Sequence, residues 1–227
     1  MKKINNSYEA VKDDIAAAER QFGRPPGQIR LIAVGKTRTV AELQQLADCG
    51  QTEFGENYLQ EAEPKIAALA GRQLCWHFIG PVQSNKAAAI ARLFDWVHSV
   101  DRLKIAQRLS QARLPGQSDL NICLQVNISG EGSKSGVDAG ALETLAAATT
   151  KLPGLRLRGL MSLPAPATDM TAQRQAFARV RELYEQLRTA GHDLDTLSMG
   201  TTGDMSAAIA EGATLIRIGT ALFGPRR

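Results

Sequence analysis

Cysteine is scarce in this chain. Only Cys49, Cys75 and Cys123 occur among 227 residues, widely spaced and with no CxxC pair. Such an odd, dispersed set argues against a disulfide framework or a thiolate zinc site and is expected of reduced thiols in a cytoplasm. Long apolar runs are missing too: no stretch of about 18 apolar residues occurs, so no membrane-spanning helix is expected. The stretch MKKINNSYEAVKDDIAAAER is charged along its length and lacks the apolar centre of a signal peptide. Runs of like charge are also absent. The net charge is +4 and the isoelectric point about 9.1, but Lys and Arg are interspersed with Asp and Glu, which leaves no footprint for nucleic acid. These absences point to a cytoplasmic globular protein with no nucleic-acid or membrane partner, expected as a monomer.

What is present fits one domain over residues 1–227, with 44% hydrophobic and 22% charged residues, an ordinary balance for a chain that buries a core. An amphipathic helix is expected over Ile4 to Phe22, followed by the turn GRPPGQ. From there strand and helix patterns alternate. Strands are expected at Arg30 to Gly35, Glu53 to Gly55, Leu74 to Ile79, Trp96 to His98, Leu120 to Ile128, Arg156 to Met161, Thr196 to Ser198 and Thr214 to Ile218. The connecting segments carry helical spacing, as in Val40, Leu43, Leu46 and Ala47, and in Phe177, Val180, Leu183, Tyr184 and Leu187. Strands alternating with crossover helices imply a parallel sheet. Eight repeats favour an α/β fold of the (β/α)8 TIM-barrel kind with an additional N-terminal helix; an open doubly wound sheet is the alternative.

In such barrels the chemistry collects at the C-terminal ends of the strands. The first expected strand lies in LIAVGKTRTV and stops on Lys36. Thr39 and Glu42 form a capping-box pattern that starts a helix near Val40, so Lys36 sits in a strand-to-helix turn. Later strands deliver Glu56 and Asn57, His77 and Gly80, Asn127, then Met161 and Ser162 to the same mouth. SMGTTGDM brings Ser198, Gly200, Thr201 and Thr202, and RIGT brings Arg217, Gly219 and Thr220. Gly-Thr segments on two neighbouring strands, with a helix start expected near Gly203, read as a phosphate site. A lysine facing a phosphate site fits an imine to a phosphorylated aldehyde; the plain alternative is a lysine paired with Glu56. Arg217, between Ile216 and Ile218, points opposite to both and into the barrel. There it donates to a ring nitrogen of a bound heterocycle or, alternatively, pairs with Asp204 or Glu53. For His77 and His98 the plain reading is that of satisfied core or rim histidines, without metal-ligand spacing. SGEGSKSG, with Lys134, has the composition of a surface loop.

The segments AVGKT, FGENYLQE, WHFIGPVQSNK, QVNIS with SKSG, RGLMSLPAP, SMGTTGDMSAAIAEG and IRIGTALFG, in this order, together resemble the pyridoxal phosphate homeostasis protein family, also called the YggS or PROSC family. The resemblance spans essentially the whole chain. It implies a barrel like the N-terminal barrel of alanine racemase, carrying pyridoxal 5′-phosphate (PLP) as an internal aldimine on Lys36. By the same resemblance Ser198 or Gly200, the Thr202 hydroxyl and the backbone around Gly219 and Thr220 hold the phosphate. Arg217 then faces the pyridine nitrogen, and Asn57 and Met161 line the ring. The implied function is to carry and buffer PLP in vitamin B6 homeostasis and to supply apo-enzymes, with little or no catalysis. The alternatives are a PLP-dependent racemase or transaminase with Tyr58, His77 or Ser162 as second base, and a Schiff-base aldolase acting on a phosphorylated sugar. The chain departs from the family pattern at Gly35, where serine or alanine is usual, and at GTTGDM, where GMSxDM is usual. Arg38 stands near the usual second lysine of the first loop and cannot form an imine. Gly35 is expected to loosen the backbone beside Lys36.

Overall fold

Short, largely apolar strands separated by amphipathic helices can bury both faces in a parallel sheet rolled shut inside a ring of helices. The chain adopts it. The structure, a computed structural model, describes residues 2–128 and 135–225, and Lys134 lies outside them. After α1 (Lys2–Gln21) come β1 (Arg30–Val34), α2 (Val40–Asp48), β2 (Glu53–Glu56), α3 (Leu59–Ala68), β3 (Cys75–Phe78), α4 (Ala87–Leu93), β4 (Trp96–Val100) and α5 (Leu103–Ala112). The second half holds β5 (Leu120–Gln125), α6 (Leu142–Thr150), β6 (Leu155–Met161), α7 (Met170–Thr189), β7 (Thr196–Ser198), α8 (Met205–Ala210), β8 (Leu215–Ile218) and α9 (Thr220–Phe223). Each strand pairs in parallel with the next, and β8 closes on β1 with Arg30 opposite Leu215 and Ala33 opposite Ile218. The open sheet is thereby excluded.

Period-two alternation divides each strand between two apolar environments. Ala33, Phe54, Val97, Ile216 and Ile218 join the continuous core between barrel and helices. Ile32, Trp96, Cys123, Met161 and Leu215 form a separate cluster. The helices present the faces their spacing calls for. Leu43 and Leu46 of α2, and Phe177, Val180, Tyr184 and Leu187 of α7, are buried, each such large side chain contributing roughly 1.5–3 kcal/mol. The Thr39 and Glu42 capping box is present, with both reciprocal hydrogen bonds. α1 packs against α2, α8 and α9. Its buried Glu19 accepts from the backbone N–H groups of Gly27 and Ile29, both at 3.0 Å, which fixes the GRPPGQ turn.

Element ends differ from the expected ones by a residue or two, except at β5. There the chain leaves the barrel at Gln125 rather than Ile128, and Val126 forms an isolated bridge with Val137. Among the described residues no helix is long and apolar enough to cross a membrane.

Candidate functional site

The strand ends build the site one residue at a time. Backbone from Gly35 to Arg38 turns back on itself, with Arg38 N–H donating to the Gly35 carbonyl at 2.9 Å. This places Lys36, half-buried, at the barrel mouth. It lines a cavity of about 320 Å3 together with Val34, Asn57, Ile79, Leu163, Thr201, Thr202, Arg217, Gly219 and Thr220, a volume suited to a small ligand. A second cavity of about 200 Å3 shares Leu163, Thr201 and Arg217 with the first and adds Ser162, Gly200 and Asp204.

Of the residues singled out in the sequence, Lys36, Asn57, Thr202, Arg217, Gly219 and Thr220 thus face one space. Gly200 lines the adjoining cavity, whereas Met161 and Ser198 are wholly buried beneath the mouth. The helix expected near Gly203 begins at Met205 instead, because Asp204 is taken up by the loop: its Oδ1 accepts from Thr201 N–H at 2.6 Å and from Thr201 Oγ1 at 2.9 Å. Gly200 has φ +98°, and a Cβ there would lie 2.6 Å from the Ala208 Cβ. Gly200→Ala is therefore expected to cost about 1–3 kcal/mol, read as a lowered urea midpoint at unchanged m-value.

Arg217 is 4% exposed and lies in the barrel as the strand period requires, but neither expected acid pairs with it directly. Its Nη1 donates to Ser198 Oγ at 2.7 Å and its Nη2 to the Ser162 carbonyl at 2.9 Å. Burial lowers its pKa to about 10, so it remains a cation at neutral pH. Glu53 is instead bound by Arg30, at 2.8 and 2.9 Å.

His77 does not reach the mouth. It is fully buried inside the barrel with His98, and the two belong to a chain of contacts. Glu53 Oε2 lies 3.3 Å from His77 Nε2, His77 Nδ1 lies 3.0 Å from His98 Nε2, and His98 Nδ1 lies 2.7 Å from Ser198 Oγ. Burial holds both imidazoles below the usual histidine pKa, with the Arg217 charge adding to the effect on His98. Burial pushes the Glu53 carboxyl up, but hydrogen bonds from His77 and Arg30 outweigh it and the net shift is downward. His77 Nε2 also lies 3.3 Å from Cys75 Sγ, and because the Glu53 carboxylate can only accept, the arrangement that gives it a donor runs one way: Arg217 donates to Ser198, Ser198 to His98, His98 to His77 and His77 to Glu53. Both histidines are then neutral with hydrogen on Nε2. Sequence reading gave each histidine a plain core role and did not link them, since the link exists only once the barrel is closed.

Beneath this chain, Arg30 and Arg158 place guanidinium carbons 5.2 and 4.8 Å from the Trp96 ring centroid, cation–π contacts that help fix the barrel floor. The three cysteines are free, and burial pushes the Cys75 and Cys123 thiols up to about 12, which keeps them unreactive. Among the described residues no group of three or more His, Cys, Asp or Glu is placed to hold a metal ion.

Two buried acceptors at the mouth, Asn57 Oδ1 and Ser162 Oγ, have no hydrogen-bond partner. An orphaned acceptor beside a lysine, a buried arginine and two Gly-Thr segments fits a ligand carrying an aldehyde, a heterocyclic ring and a phosphate.

Comparison with known proteins gives the same outline. The family model described as "Alanine racemase, N-terminal domain" matches residues 7–227. A pyridoxal phosphate homeostasis protein of Pseudomonas aeruginosa is 54% identical over 226 residues, covering 100% of this chain and 97% of its own. That of Escherichia coli K12 is 46% identical over 229 residues, covering 100% and 98%. PipY of Synechococcus elongatus, a structure with PLP bound, superposes with a TM-score of 0.83 at 35% identity over 92% of this chain and 100% of its own.

Proposed function

This chain belongs to the pyridoxal phosphate homeostasis protein family, and on that premise we propose that it binds PLP covalently and reversibly through the Lys36 amine. It carries and buffers the cofactor within the cell and supplies it to apo-enzymes, with little or no catalysis of its own. When bound, PLP supplies an aldehyde that condenses with amines and a ring that accepts electrons.

The observation that carries the reading is the composition of the cavity wall. Lys36 provides the amine. Thr202, Gly219 and Thr220 provide hydroxyl and backbone donors for a phosphate, with Ser198 and Gly200 beneath them, and Asn57 and Met161 serve the ring from the side and from below. Arg217 presents a guanidinium that donates a hydrogen bond but does not give up its proton, so a ring nitrogen facing it stays neutral and accepts electrons weakly. Among the described residues this wall has no His, Asp, Glu, Cys or Tyr, so none of these supplies a second acid or base beside Lys36. The alternative bases are poorly placed for that task. Tyr58 is 53% exposed and His77 is locked in the barrel interior. Ser162 lines the adjoining cavity instead.

Exchange of the alanine α-proton for deuterium tests this directly. With PLP and the protein present, exchange is expected no faster than with free PLP. A rate about 100-fold or more above free PLP, the contribution of a positioned general base, would make the chain an enzyme and overturn the carrier reading.

A further inference from the structure

The residue after Lys36 is strained. Thr37 has φ +62°, and among the described residues it alone combines a side chain with a positive φ. With Arg38 N–H donating to Gly35 O, residues Gly35 to Arg38 form a turn whose third position takes positive φ, a place that favours glycine and disfavours a β-branched residue. Something outside the turn must hold it.

That support comes from α3. Lys65 Nζ donates to the Gly35 carbonyl at 2.8 Å, and Thr37 N–H donates to Glu61 Oε2 at 2.8 Å. These two contacts fix the peptide groups on either side of the Lys36 Cα, and so fix the direction in which its side chain leaves the backbone. Glu61 and Lys65 lie one helical turn apart and approach to 3.8 Å. Lys65 is itself buried, 5% exposed, and is anchored by Glu56 Oε1 at 2.8 Å. Glu56, at the end of β2, is fully buried, and its other oxygen has no partner. A Cβ on residue 35 would lie 2.5 Å from Glu56 Oε1. Gly35 leaves room for the carboxylate that anchors Lys65, and in place of the expected loosening its N–H donates to the Gly55 carbonyl at 2.8 Å and its own carbonyl accepts from Lys65.

We propose that Lys65 and Glu61 are positioning residues for Lys36, clamping the two peptide groups that flank it so that its amine is presented to the cavity in one orientation. The inference rests on the reading of Lys36 as the point of attachment, but its test needs no cofactor. The full chain without PLP is trace-labelled with acetic anhydride, and the labelling of Lys36 relative to exposed Lys12 is read by peptide mass mapping, with thermal melting to confirm folding. In Lys65→Met the ratio is expected to change by about tenfold or more, since a misplaced backbone alters a group's reactivity on that scale. Glu61→Ala, which removes the acceptor of the Thr37 N–H, is expected to change it by about threefold in the same direction, and Lys65→Arg to return it toward wild type. Folded Lys65→Met and Glu61→Ala proteins with wild-type ratios would overturn the proposal. Should Lys65→Met not fold, Glu61→Ala decides alone, because it leaves the Lys65–Glu56 pair intact. A chain in which the ratio responds but PLP never attaches to Lys36 would refute the functional reading and leave the clamp standing.

Discussion

Lys36→Arg is expected to keep the fold and the net charge and to lose PLP. Arginine stays protonated at any pH the protein survives and cannot condense with an aldehyde, so only contacts to the phosphate and ring remain. Affinity is expected to fall about 100-fold or more, equivalent to about 2.7 kcal/mol, and no cofactor should stay with the protein through gel filtration. Equilibrium dialysis against PLP measures the loss. The side chain at position 36 is half-buried in a turn whose backbone is held from α3, so the variant should melt near wild type. Retention of PLP by Lys36→Arg at wild-type affinity would place the attachment elsewhere.

The second large effect lies below the mouth. His98→Phe keeps a planar ring in the barrel interior, slightly larger than the imidazole, but cuts the buried chain in its middle. Ser198 loses the acceptor for its hydroxyl, and His77 Nδ1 loses its donor. Two buried polar groups left unpaired at about 1–3 kcal/mol each give an expected loss of roughly 2–6 kcal/mol, a large share of the roughly 5–15 kcal/mol that holds a typical protein folded.

The same chain makes the fold sensitive to acid. Both histidines have folded pKa values below the ordinary 6.5. Below pH 6.5 the unfolded chain therefore binds more protons than the folded one. The stability is fully present above pH 6.5 and is lost as pH falls, at up to about 1.4 kcal/mol per pH unit for each histidine. Glu53 acts in the same sense, but its window lies below its ordinary value of 4.5. Urea midpoints at pH 7.5 and 5.5 read the histidine contribution. The wild type should lose stability between them, and His98→Phe, weaker at both, should lose less. A flat wild-type midpoint would contradict the neutral, unidirectional chain.

Much of the architecture is legible without coordinates, for physical reasons. Strand and helix periods differ, and Thr39 with Glu42 marks a helix start that tertiary packing does not override. The alternation Ile216, Arg217, Ile218 places Arg217 inside the barrel. The strand ends therefore predict Lys36, Asn57, Thr202, Arg217, Gly219 and Thr220 at one mouth. What the sequence hides depends on closure and on helices. Glu53 and Asp204 were plausible partners for Arg217, yet Arg30 and His77 hold the first and Thr201 the second. Glu56 was a plausible partner for Lys36, yet it anchors Lys65. Glu61 and Lys65 carry only the i,i+4 spacing of any helical charge pair. The available signal was that Lys65 shares a face with the apolar Ala62 and Leu69, both buried, where a lysine needs a partner.

We propose that the first strand stops on a lysine because that amine holds the cofactor. The near-visible spectrum of the purified chain titrated with PLP, followed by borohydride reduction and peptide mass mapping, tests this. A new absorption band and a single reduced adduct on Lys36 are expected. No band, or label spread over surface lysines with Lys36 unmodified, would contradict it.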